Sequence, residues 1–224
     1  MCWVLQNGLY PVALMTGDIR AAEEALAIIN DLAIQLDAAL WKIVGSCLEA
    51  KLHLERGEFA QSTTLLSKSL DLCERTGWQV NNAVFLGDLA LGLAGLGRLD
   101  EALATIGRAF ARVENSGEHW YDAELFRMKG EMLLQKGSDE AAAAAEDCFG
   151  WAGEVAREQG ALFWELQVAL SLARLRVTQD RHDEARDILT PVYSRFTEGF
   201  GTPNLCTAKA LLDSLPSSRM RGRS

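Results

Sequence analysis

Proline is scarce, with four in 224 residues, and no segment alternates β-branched and polar residues as a half-buried strand would. No apolar run reaches the roughly 18 uninterrupted residues a bilayer span requires. The apolar start "MCWVLQNGLYPVALMTG" lacks the basic residues and small-residue cleavage site of a signal peptide. Cys2, Cys47, Cys73, Cys148 and Cys206 are odd in number, scattered and without a CxxC pair. They read as small buried hydrophobes in a reducing compartment, not as a disulfide frame. Positive charge is short as well. A formal charge of −9 argues against gripping a phosphate backbone. The local exception is "PSSRMRGRS", with Arg219, Arg221 and Arg223, expected to be a disordered basic tail over 216–224. The chain is thus expected to be cytoplasmic, bound neither to nucleic acid nor to membrane.

Catalytic patterns are missing too. There is no GxxxxGK[ST] phosphate loop, no HExxH and no GxSxG. His53, His119 and His182 stand far apart, which suits packing or solvated roles over metal ligation. Glu23/Glu24 and Asp100/Glu101 are expected in the first turns of helices, where carboxylates complement the helix dipole. "GLAGLG" (92–97) follows no strand, so a nucleotide loop is not expected there. The reading is a non-enzyme with no metal and no cofactor.

What the chain does contain is helix-forming Ala, Leu and Glu, punctuated at a fixed interval. Gly17, Gly57, Gly97 and Gly137 are 40 residues apart, and Asp180 follows 43 later. Five residues after a break stands a small residue (Ala22, Ser62, Ala102, Ala185), and nine after it a large one (Leu26, Leu66, Ile106, Leu189). These offsets share one helical face. The fourth copy regains the pattern as Ala145, Phe149 and Ala152 if three extra residues form a loop after Gly137. Seven before each break is Ala50, Ala90, Gly130 or Ala173, small enough for the next helix to lie close. An all-α fold follows: an α-solenoid of about five helix hairpins with a period near 40 residues. The units run over 1–37, 38–77, 78–117, 118–160 and 161–215.

The small–glycine–small spacing resembles the tetratricopeptide repeat, in a longer form that lacks the aromatic in the middle of the first helix. "SGEHWYDAELFRMKGEMLLQKG" and "REQGALFWELQVALSLARL" are similar to the C-terminal region of bacterial multidomain signalling proteins. In those, a winged-helix or adenylate cyclase domain and a P-loop ATPase precede such repeats. The resemblance extends over essentially the whole chain and is tightest from about 117 to 215. It implies a sensor or protein-interaction segment with no catalytic residues. With no phosphate loop and no winged helix, the chain resembles a detached C-terminal region of such a protein.

Helical register selects the face that lines the concave side of such a stack. Its candidate binding residues are Trp41, Lys51, Asn81, Tyr121, Glu124, Arg127, Glu131, Trp164, Gln167 and Arg174. Val44, Cys47, Val84, Gly87, Leu91 and Leu170 fall in the same rows. Trp120 points about 100° away from Tyr121 and is expected in the core. Charge and aromatics together are the composition of a gripping surface. The expected function is a protein- or peptide-interaction module of a signalling or transcription-regulatory protein. The alternative is a small-molecule sensor, favoured by a deep apolar pocket ringed by Trp and Arg. The apolar N-terminal stretch is expected to be an exposed end through which copies could self-associate.

Overall fold

The computed structural model describes residues 1–216, so most of the expected basic tail, Arg219, Arg221 and Arg223 included, lies outside the described residues. Among the described residues every regular element is helical. A turn at Cys2–Val4 runs through a π-helical stretch, Leu5–Leu9, into α1 (Tyr10–Thr16). There follow α2 (Ile19–Gln35), α3 (Ala39–Glu55), α4 (Phe59–Thr76), α5 (Asn82–Gly95) and α6 (Leu99–Ser116). A 3-10 turn, His119–Tyr121, leads into α7 (Asp122–Leu134), then α8 (Asp139–Glu158), α9 (Leu162–Thr178), α10 (His182–Tyr193) and α11 (Pro203–Ser214). No helix among the described residues is long and apolar enough to cross a membrane.

The breaks marked in the sequence are where the backbone turns left-handed. Gly17, Gly57, Gly97 and Gly137 have φ of +71° to +77°, and Asp180 has φ +58°. At four of these breaks the next N–H reaches back five residues to a carbonyl: Asp18 to Ala13, Glu58 to His53, Arg98 to Leu93 and Arg181 to Arg176, at 2.8–2.9 Å. This is the Schellman closure, which satisfies carbonyls that a helix end leaves open. Asp18 and Ser138 then cap the following helices, accepting from the N–H groups of Ala21 and Ala141 at 3.0 and 3.2 Å.

The helices pack in consecutive pairs: α3 with α4, α5 with α6, α7 with α8, α9 with α10. The small residues flanking the breaks make these pairings close. Ala22, Ser62, Ala102, Ala145 and Ala185 are all fully buried, as are Ala50, Ala90 and Ala173 on the partner helices. A Cβ on Gly130 would stand 2.5 Å from the Phe149 ring, and one on Gly92 2.7 Å from Thr63 Cγ2. Gly92 and Gly95 of "GLAGLG" therefore serve helix contact, and Gly97 the left-handed turn.

The first helices of successive pairs also touch, α3 with α5, α5 with α7, α7 with α9, and α9 with α11. Contacts of that extent are absent among the second helices of the described residues. The first helices thus form an inner layer packed more tightly than the outer one.

Two local expectations need correction. No loop is inserted after Gly137: α8 begins at Asp139, as soon after its glycine as α2, α4 and α6 do after theirs. The extra residues lengthen α8 to 20 residues, against 17 or 18 in those three. Three residues add nearly one helical turn, so the stripe of Ala145, Phe149 and Ala152 stays buried. Glu23 and Glu24 lie beyond the first turn of α2, and Glu23 pairs with Arg56 on α3; Asp100 and Glu101 do occupy the first turn of α6.

Replacing Gly130 by Ala should cost about 1–3 kcal/mol, because fully buried Phe149 has nowhere to move. Gly107→Ala, at a site in α6 open to solvent, should instead stabilise by about 0.5–1 kcal/mol. Melting temperatures shifted in opposite directions are the expected result.

Candidate functional site

The inner layer borders a cavity of about 730 Å³. Its walls come from the π-helical stretch and α1, from α3, α5, the 3-10 turn and α7, from α9, and from the start of α11. The two ends of the chain meet beside it: a Cβ on Gly17 would lie 2.6 Å from Pro203 Cγ, the first residue of α11. The N-terminal segment is tied in by Tyr10, buried, whose hydroxyl donates to the Leu48 carbonyl at 2.6 Å. A second tie is Asn81 Nδ2 donating to Asn7 Oδ1 at 3.1 Å.

Lys51, Asn81, Tyr121, Glu124, Arg127, Trp164 and Gln167 all line this cavity, together with Val84 and Leu91. Asn81 does so from the N-cap of α5 with a left-handed φ of +59°, and Tyr121 from the end of the 3-10 turn. Three candidates lie elsewhere. Trp41 packs partly buried against the core cluster, Glu131 points to α9, and Arg174 is exposed outside the lining. Contact between neighbouring first helices covers other members of these rows. Val44, Cys47, Gly87 and Leu170 are buried, and a Cβ on Gly87 would stand 3.1 Å from Leu125 Cδ2. Trp120 also departs from expectation. It is 51% exposed and lines the cavity, because the 3-10 turn replaces the helical register from which its direction was read.

Two ionic groups are set into the walls. On α5, Asp88 is fully buried and accepts from Lys51 Nζ of α3 at 2.6 Å. Burial pushes the Asp88 carboxyl above its ordinary value of 3.8, more than Lys51 holds it down. Burial also opposes the charge on Lys51, but the Asp88 carboxylate outweighs it and leaves that ammonium raised. On α7, Arg127 grips Glu124 in a fork, at 2.7 and 2.6 Å. Arg127 also lies 3.5 Å from Glu131, which accepts from the Ser171 hydroxyl of α9 at 2.5 Å. The guanidinium stays firmly charged: burial works against it, and Glu124 and Glu131 overcome that. Tyr121 is raised well above 10 by burial first, then by Asp88 and Glu124.

Aromatic rings complete the wall. Tyr121 meets Trp164 edge-on, with centroids 5.6 Å apart, and Trp120 lies 5.1 Å from Tyr121. Phe163 meets Trp164 edge-on at 5.0 Å.

Several lining residues escaped the sequence reading. Gln6 and Tyr10 belong to the stretch expected to be an exposed end. That stretch is two-sided: Leu5, Gln6, Tyr10 and Ala13 are buried, whereas Met1, Trp3, Val4, Leu9 and Val12 are exposed. Asp88 carried a usable signal, as the single charge in the otherwise apolar helix "NAVFLGDLALGLAG".

The chain matches no family model and no curated protein. The reading of the cavity therefore stands on its own residues.

Lys51→Met would leave Asp88 buried without its cation, at an expected cost of about 3–5 kcal/mol near neutral pH. The orphaned carboxyl would have its pKa raised further. The folded variant is then favoured below the ordinary carboxylate value and loses that advantage as pH rises through the raised one. Chemical denaturation at pH 5 and pH 7 should show the deficit shrinking at the lower pH.

Proposed function

We propose that this chain is a non-catalytic ligand-sensing module, a tetratricopeptide-like α-solenoid of about five hairpins that holds a small molecule on its concave side. In the setting the resemblance implies, it reports that molecule to the signalling or transcription-regulatory machinery of a bacterial cytoplasm. The observation that carries this reading is the cavity of about 730 Å³, walled by every first helix and by both ends of the chain. Small-molecule sites are typically concave, about 300–1,000 Å³, and lined by apolar and aromatic groups with a few placed polar ones. Phe85, Trp120, Tyr121, Phe163 and Trp164 supply the first kind, and Lys51, Asp88, Glu124 and Arg127 the second.

An extended protein segment, the other reading of the same face, needs a groove open at both ends. The approach of Gly17 to Pro203 works against that and favours a compact ligand. Ligand sensing by such a module needs no reacting group. A ligand that binds one arrangement of the helices better than another shifts the population toward it.

The test uses the neutral dye N-phenyl-1-naphthylamine, which fluoresces in apolar surroundings. It should brighten with the native protein and fail to do so with Val84→Trp, whose new ring fills the lining, provided circular dichroism shows intact helicity. Equal brightening by both proteins, or by neither, would overturn the small-molecule reading and return the inner face to a protein segment.

A further inference from the structure

The walls of the cavity carry more negative than positive charge, and the positive groups are already spoken for. Lys51 is committed to Asp88, and Arg127 to Glu124 and Glu131. Against these two cations stand Asp88 and Glu124 in the lining and Glu131 behind it, and a further carboxylate, Glu55, lines the cavity without an ion-pair partner among the described residues. Partial desolvation raises the Glu55 carboxyl, Lys51 lowers it, and Asp88 raises it again.

Free hydrogen-bonding capacity leans the same way. Asp88 Oδ2 is buried with no hydrogen-bond partner, so one carboxylate oxygen is left unsatisfied in the wall. Gln6, 5% exposed and part of the lining, has both its amide oxygen and its amide nitrogen unpartnered. The aromatic group formed by Trp120, Tyr121, Phe163 and Trp164 adds ring faces, which carry negative electrostatic potential and attract organic cations.

We infer that the molecule held in this cavity is an organic cation, an amine or quaternary ammonium with an aromatic or branched apolar body. Its charged head is balanced by Glu55. Its body rests among the rings of Trp120, Tyr121 and Trp164. An anion would meet no free cation among the described residues of the lining, and a neutral apolar molecule would leave the surplus charge and the unsatisfied acceptors unanswered. This inference rests on the small-molecule reading of the cavity and adds the chemical class.

The test is isothermal titration calorimetry with four phenyl compounds of similar size: benzyltrimethylammonium, benzylammonium, benzoate and benzyl alcohol. Both cations should bind about tenfold or more tightly than benzoate or benzyl alcohol, in line with a charge held by aromatic rings and a carboxylate. Their affinity should fall as salt is raised. Glu55→Gln and Trp120→Leu alter exposed side chains, so folding should survive, and each should weaken cation binding several-fold. Benzoate or benzyl alcohol binding as tightly as the cations would overturn the inference. So would cation affinity unmoved by both substitutions, or none of the four compounds binding. If the neutral dye still enters in those cases, the small-molecule reading stands and only the ligand class has failed.

Discussion

Everything in this fold depends on how closely one helix can approach the next at each turn. A left-handed residue ends the first helix, a Schellman bond closes it, and the following helix departs within two residues. At that angle the two axes can come close only if the side chains between them are small, and the buried positions flanking the breaks are Ala50, Ala90, Gly130 and Ala173 on one helix and Ser62, Ala102, Ala145 and Ala185 on the other. A larger residue at any of these points would have to push a buried neighbour aside, and protein interiors have little room for that. Close pairing also lets the first helices reach each other, and their contact draws the inner layer together around a shared space.

The parts of this arrangement legible in the sequence were those with a local cause. Gly17, Gly57, Gly97 and Gly137 announce themselves because few other residues accept a positive φ, and the buried stripes follow from helical periodicity. The inner rows were half legible. Lys51, Glu124, Arg127 and Trp164 do line the cavity, whereas Val44, Cys47 and Gly87 are covered by the adjoining helix. Register tells which side of a helix a residue occupies but not how near the neighbouring pair comes. Trp120 was misplaced because one 3-10 turn rotates the chain away from the α-helical register. The inward side of the N-terminal segment was missed because its burial depends on partners such as Leu48 and Asn81, far along the chain.

The polar groups in the wall trade stability for definition. Removing Asp88 from water carries a cost that its contact with Lys51 only partly offsets, as the raised carboxyl pKa records. A hydrophobic pair would fill the same volume with less penalty. What the charged pair adds is a fixed register between α3 and α5, since a 2.6 Å contact tolerates little sliding. The Ser171–Glu131–Arg127–Glu124 chain does the same for α7 and α9. The inner helices are thus located by directional contacts as well as by packing, and the rings between them are held at settled angles.

The meeting of Gly17 with Pro203 has a kinetic consequence. Nearly all other packing joins elements close along the chain, so each helix pair can form and persist whether or not the ends touch. Parting the ends therefore requires no pair to unfold. Local openings of that kind cost less free energy than global unfolding. A molecule leaving the cavity by that seam would do so without unfolding any helix pair, so the junction of the two ends bears on residence time as well as the walls that bind it.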